Sequence, residues 1–208
     1  MKNSFWGYKR KNGLVGIRNK LLIISITGLT GPTARKISDY LKGSLFVDNP
    51  YGGGIIGEDK TRQNNAIIGF AENPNVGAVL IISADPPKGD FIKSQLVKSS
   101  KPIELLTLDE CNHDAIKLLE LGLRKGAKLI REISRLRREK VSFSKLSIGL
   151  ECGRSDPSSG LVANPLMGLI ADKLIDLGGS AIIGETIEWL GAEHLLKKRA
   201  QTDEVKKK

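Results

Sequence analysis

"LLIISITGLTGPTARKISDYLKG" occupies Leu21 to Gly43. Its first six residues form an unbroken apolar, β-branched run, the pattern of a strand buried on both faces. From Gly31 the spacing predicts a helix, with Pro32 in the first turn and Gly43 at the end. A doubly covered strand that feeds a helix is the opening unit of an α/β fold with a mostly parallel sheet.

The same alternation continues outward. "SLFVD" (Ser44 to Asp48) reads as a strand, and a helix from about Lys60 to Glu72 stops before Asn73-Pro74. "GAVLIISAD" (Gly77 to Asp85) is a second buried strand, followed by a helix near Asp90 to Lys98 and the strand "PIELLTL" (Pro102 to Leu108). Asp109 is expected to cap a long helix from about Glu110 to Lys140. Ile116, Leu119, Leu123, Ile130 and Ile133 form its apolar stripe, and Gly122 and Gly126 on one face permit close helix packing. His113 falls in its first turn as a surface or capping residue. The basic run Arg137 to Lys140 falls in its last turn, where cations meet the negative end of the helix dipole. Upstream, "GYKRKNGLVGIRN" (Gly7 to Asn19) reads as two short strands around a Lys-Asn-Gly turn.

A new unit begins near Val141. "KLSIGLEC" (Lys145 to Cys152) and "SAIIGE" (Ser180 to Glu185) read as strands joined by a helix over 160–179; a last helix spans about Ile187 to Ala200. The expected organisation is a doubly wound, Rossmann-like α/β domain over 1–140, an incomplete second α/β unit over 141–200, and a frayed basic tail over 201–208. The second unit is thin and must pack on the first domain, on another subunit, or on a further stretch of chain.

Composition narrows the partners. The chain has 208 residues, 40% of them hydrophobic, with two cysteines and a net charge of +10. Cys111 and Cys152 make no disulfide framework and suit a reducing compartment. The polar, Gly-rich first residues lack a signal-peptide core, and no apolar run reaches the roughly 18 residues that cross a bilayer. A soluble cytoplasmic protein that engages no membrane is expected. The positive charge favours anions. Only 5% of residues are aromatic and none is interleaved with the basic runs, which argues against nucleic acid as a partner.

The chemistry-bearing residues gather in the second unit. If the helix after Cys152 is a crossover, the two strands are parallel, and Glu151, Cys152 and Glu185 leave one sheet edge together. The loop Gly153 to Gly160 adds Arg154, Ser155, Asp156, Ser158 and Ser159, with Asn164 at the helix start. Hydroxyls and backbone N–H groups at a helix N-terminus suit an anion, and Arg154 suits a carboxylate. The same residues also suit a well-capped turn. Cys152 is either a thiolate ligand or nucleophile, or a small buried residue. Glu185 and Glu188 are close enough in sequence to share a metal or act as base; Glu193 and His194 point different ways. In the first unit, "NPYGGGIIGED" (Asn49 to Asp59) lets backbone approach a ligand, but it is neither GxGxxG nor a Walker loop.

Four stretches give a resemblance. "GYKRKNGLVGIRN", "ENPNVGAVLII" (Glu72 to Ile82), "GLECGRSDPSSGLVANPLMGLIADKLIDLGG" and "GETIEWLGAEHLL" are similar, in order, to the altronate dehydratase and galactarate dehydratase family. The resemblance implies a hydro-lyase that removes water from a small anionic sugar acid to give a 2-keto-3-deoxy acid, assisted by a divalent metal, iron or manganese. A related branch eliminates sulfite from sulfolactate. On this resemblance Cys152 and Glu151 would hold metal, and Arg154, Ser155, Asp156, Ser159 and Asn164 substrate. Glu185, Glu188 and Cys152 would do the chemistry. Departures accompany it: Tyr51 and Gly53 stand where the family has His and Cys, "SADPP" (Ser83 to Pro87) replaces Gly-Cys-Glu, and Arg154 replaces a glycine. The family also has a small N-terminal domain and a further C-terminal stretch. The expectation is one subunit or fragment of such an enzyme, completed by a partner subunit or oligomer, or a relative reduced to anion binding or assembly.

Overall fold

The computed structural model describes residues 3–51 and 54–207, and of Lys98 only the backbone. Gly52, Gly53 and Lys208 lie outside the described residues. In chain order the strands and helices are β1 (Ser4–Lys9), β2 (Val15–Gly16), β3 (Lys20–Ser25), α1 (Gly31–Tyr40), β4 (Leu45–Asp48), α2 (Gly57–Glu72), β5 (Val76–Ser83) and α3 (Pro86–Gln95). They continue with β6 (Ile103–Thr107), α4 (Ala115–Ile133), β7 (Glu139–Ser142), β8 (Ser147–Leu150), α5 (Asn164–Asp176), β9 (Ser180–Ile183), α6 (Glu193–Arg199) and α7 (Asp203–Lys207). The described residues fall into two compact units, 5–141 and 142–207, the second including Asn3 and Ser4.

In the first unit, four parallel strands run in the order β4-β3-β5-β6. Neighbouring residues of β3 and β5 face opposite sides, and both sides are covered. Leu21, Ile23, Leu80 and Ile82 pack with Ala34 and Ile37 of α1 and Leu118 and Leu129 of α4. Leu22, Ile24, Val79 and Ile81 pack with Ile67 and Ala71 of α2 and Ile92 of α3. Burial on both faces explains why these strands read as unbroken apolar runs. The sheet is doubly wound, with the change of direction between β3 and β5. Where α1 meets α4, a Cβ on Gly122 would collide with Ile37 and one on Gly126 with Leu41. The glycine pair therefore permits the close packing its spacing suggests.

A second sheet, β2-β1-β7, includes the antiparallel pair β1–β2. The buried Arg10 fastens it to the parallel sheet's entry: its guanidinium donates to the carbonyls of Pro74 (2.8 Å) and Arg18 (3.2 Å) and to Asn19 Oδ1 (3.0 Å).

Helix boundaries correct the sequence reading. The long helix is α4 alone, shorter at both ends than 110–140. Asp109 begins a single 3-10 turn, Asn112 and His113 adopt left-handed backbone, and the cap is Asp114, which accepts from the N–H groups of Ile116 (2.7 Å) and Lys117 (3.2 Å). At the other end Asn19 Nδ2 takes the Ile133 carbonyl (2.8 Å), and the chain from Glu139 becomes a strand. Tertiary partners outweigh helix propensity there. The helix placed at 90–98 begins earlier, at Pro86, because Asp85 caps it through Lys88 N–H (3.0 Å). The helix placed at 187–200 is broken: a 3-10 turn (Thr186–Trp189) and α6 are separated by Gly191 at φ +83°. The tail forms a short helix, α7, with Thr202 Oγ1 accepting from Val205 N–H (3.2 Å) and Lys206 paired with Asp203 (2.8 Å).

The second unit is a parallel pair, β8–β9, with α5 as the crossover. Its side chains are covered sparsely. Ala171 and Leu174 of α5 are buried, while Leu161 is 80% exposed and the successive residues Ile182 and Ile183 of β9 are 67% and 51% exposed. Successive strand residues face opposite sides, so both faces of β9 stand open.

Candidate functional site

The carboxyl ends of β8 and β9 lie side by side, since Leu150 pairs with Ile183 in a parallel register. Glu151 and Cys152 leave one end, Gly184 and Glu185 the other. The Cys152 main-chain N–H donates to Glu185 Oε2 at 2.8 Å. Glu185 sits at φ +57°, ψ +52°, left-handed backbone that a non-glycine residue adopts at a cost of about 1 kcal/mol or more. That conformation turns the chain into the Thr186–Trp189 turn and brings Glu188 round. Sγ of Cys152 and carboxylate oxygens of Glu185 and Glu188 lie within 4.8 Å of one another. Among the described residues this is the one group of three potential metal-ligating side chains.

The spacing fits a divalent ion. Metal–ligand bonds of about 2.0–2.6 Å place donor atoms of one ion up to about 5 Å apart, so a small closing movement at most would bring the three onto one ion. One sulfur with two carboxylates is a mixed set that suits intermediate metals better than magnesium or calcium. Glu151, expected as a ligand, stands outside the group; its side chain lies beside Gly184, 3.8 Å from where a Cβ there would be.

The following loop is ordered by its own polar groups. Asp156 Oδ1 accepts from Ser158 N–H (2.8 Å), Ser158 Oγ (2.6 Å) and Ser159 N–H (3.2 Å). These donors, the Ser158 hydroxyl first, hold the Asp156 carboxyl below its ordinary value. Ser159 Oγ donates to the Arg154 carbonyl (2.8 Å). Asp156 and Ser159 thus spend their hydrogen bonds on shaping the turn. Ser155 Oγ lies 3.3 Å from Cys152 Sγ. Among the described residues the Arg154 guanidinium and the Asn164 amide form no hydrogen bond or ion pair. Ser159–Ala163 is a π-turn leading into α5. Pro165 lacks the N–H that would bond the Leu161 carbonyl, and the wider turn accommodates that loss.

In the first unit, the carboxyl edge of the sheet holds a cleft of about 310 Å³ lined by Ile26, Asn49, Gln63, Lys88 and Phe91 among others. Asn49 there donates to the Ile26 carbonyl (3.1 Å) and accepts from Tyr51 N–H and Gln63. Tyr51 is exposed, Gly53 lies outside the described residues, and Ser83 Oγ is tied to the Asp85 carbonyl (2.7 Å). No helix among the described residues is long and apolar enough to cross a membrane.

The sequence profile of "D-galactarate dehydratase/Altronate hydrolase, second domain" matches residues 7–134, and that of "D-galactarate/Altronate dehydratase, C-terminal" matches 143–208. The subunit beta of (2R)-sulfolactate sulfo-lyase from Chromohalobacter salexigens is 33% identical over 99% of this chain and 52% of its own length. Altronate dehydratase of Bacillus subtilis is 30% identical over 97% of this chain and 42% of its own, and that of Escherichia coli 31% over 91% and 40%. The chain thus spans about half the length of the curated relatives it matches. With matched segments covering both compact units, the chain belongs to the D-galactarate/altronate dehydratase family.

Proposed function

We propose that this chain is one part of a metal-assisted lyase that removes water from an altronate- or galactarate-like acid to give a 2-keto-3-deoxy acid. The observation that supports it is the meeting of Cys152, Glu185 and Glu188 at the carboxyl ends of β8 and β9. Arg154 takes the substrate carboxylate in its planar fork, assisted by Ser155 and Asn164. Glu185, tethered by the Cys152 N–H, keeps its charge fixed beside the thiol. Glu188 takes the proton from the carbon α to the carboxylate and the freed electron pair forms the C=C bond as the β C–O bond breaks; the same proton, passed from Glu188 to the departing hydroxyl, releases it as water, and the enol becomes the ketone. Cys152 and Glu185 would hold a divalent iron or manganese ion, which would supply Lewis-acid stabilisation of the negative charge developing on the carboxylate and leave Glu188 free as the base.

The chain acts with a partner subunit. The relative named as a subunit beta supports this, as do the open faces of β9. A second reading, favoured by that same relative, is elimination of sulfite from a sulfolactate-like acid, with the sulfonate as leaving group. A third keeps the fold for anion binding or assembly without turnover, which Tyr51 and Gly53 in place of the family's His and Cys, and the stretch Ser83 to Pro87 in place of its Gly-Cys-Glu, support. The test incubates the chain with Mn²⁺ or Fe²⁺ and altronate, galactarate or sulfolactate. It is run alone and with a polypeptide matching the remainder of the relatives. A 2-keto-3-deoxy product supports the first reading and sulfite release the second. Ligand-dependent thermal stabilisation without any product supports the third.

A further inference from the structure

The basic run expected at a helix end stands elsewhere. Because α4 ends at Ile133, Arg137 and Arg138 lie in the link to β7. There, with Arg18, Lys20 and Lys42, they line an open concavity of about 430 Å³ at the amino-terminal edge of the parallel sheet. The five cations come from three separate stretches: the entry to β3, the turn after α1 and the link after α4. No Asp or Glu among the described residues lines the concavity. None of the five forms an ion pair among the described residues.

The fold holds these cations in place without neutralising them. Arg138 Nη2 donates to the Ile17 carbonyl (3.2 Å), and its guanidinium lies 5.3 Å from the Tyr8 ring centre. Lys20 Nζ folds over the turn at Gly43, 3.8 Å from where a Cβ there would stand. The terminal carbonyls of α4, a source of negative charge, are already taken: that of Ile130 by Ser134 N–H (2.9 Å) and that of Ile133 by Asn19 Nδ2 (2.8 Å). Like charges gathered round one hollow repel one another, and an anion with several charges relieves that repulsion.

We propose that this concavity binds a small polyanion bearing two or more phosphate groups. Arg137 and Arg138 supply planar forks for phosphate oxygens, and the lysines supply point charges. Nucleic acid fits less well, because the one aromatic lining residue, Tyr8, already faces Arg138 and Arg10 and leaves no platform for stacked bases. The site lies wholly in the first unit and does not depend on the Cys152 group or its chemistry.

The test titrates the full chain with pyrophosphate and tripolyphosphate by calorimetry, with inorganic phosphate as control. The polyphosphates are expected to bind at least about tenfold more tightly than phosphate, and the advantage to shrink steeply between low and physiological salt. The Arg137→Gln/Arg138→Gln double variant loses about tenfold or more, and so does Lys42→Glu, an exposed position whose substitution leaves the fold intact. Lys206→Gln/Lys207→Gln, of equal charge change to the first pair, binds as the parent does. Equal affinity for phosphate and tripolyphosphate overturns the proposal. So does unchanged binding in Lys42→Glu, or tighter binding of a short oligonucleotide than of tripolyphosphate.

Discussion

The main-chain N–H of Cys152 donates to the carboxylate of Glu185 at 2.8 Å, joining the ends of β8 and β9. The thiol is thereby held beside a fixed negative charge. Replacing Glu185 by Gln keeps an oxygen acceptor and removes the charge. Mn²⁺ affinity, read by electron paramagnetic resonance, is expected to fall about 10- to 100-fold while the circular dichroism spectrum stays unchanged. Cys152→Ser lowers it in the same direction; an unchanged affinity in both variants removes this group from consideration as a metal site.

The glycines of two helices give opposite signs. Gly122 of α4 faces Ile37, fully buried at 0% exposure, so Gly122→Val overpacks the interface and costs about 1–3 kcal/mol in urea unfolding. A Cβ on Gly69 of α2 would meet nothing within 4 Å. Gly69→Ala therefore gains about 0.5–1 kcal/mol from helix propensity.

Asp114, not Asp109, starts α4. Asp114→Ala removes the acceptor for two N–H groups and costs about 1 kcal/mol of stability. Asp109→Ala loses only an exposed contact to His113 at 3.5 Å and changes stability by less than about 0.5 kcal/mol. Equal losses in thermal melts would place the cap elsewhere.

Lys101 makes stability depend on alkaline pH. Its half-buried ammonium donates to the carbonyls of Ala71 and Asn73, both at 2.8 Å. Burial first, and the Arg10 charge second, lower its pKa to about 8 from the ordinary 10.5. Below pH 8 the amine is charged in both states and the folded protein bears the full desolvation cost. Between 8 and 10.5 the unfolded chain binds more protons, so stability rises with pH. Relative to Lys101→Met, the parent should gain about 1 kcal/mol over that interval, after discounting for partial solvent exposure. A flat difference between the two denaturation series contradicts the shift.

The parallel sheet was legible because its strands are buried on both faces, and such burial leaves unbroken runs such as Leu21 to Ile26 in the sequence. The pairing of β8 with β9, and with it the meeting of Glu185 and Cys152, followed from the crossover helix between them. The ends of α4 were not legible. Their positions depend on Asn19, more than a hundred residues away, and on a strand partner for Glu139, and neither leaves a local signal. For the same reason the five cations around Lys20 are scattered in sequence and converge only in the fold. A second capping aspartate five residues after Asp109 was the one clue to the true helix start.

The open faces of β9 also bear on handling. A parallel pair with two free edges and Ile182 and Ile183 uncovered is a template on which other strands can add. Produced by itself, the chain should self-associate through residues 142–207 while residues 5–141 stay folded and soluble. Size-exclusion chromatography of the chain with and without Ile182→Ser/Ile183→Ser checks this: the variant is expected to run as a smaller species than the parent.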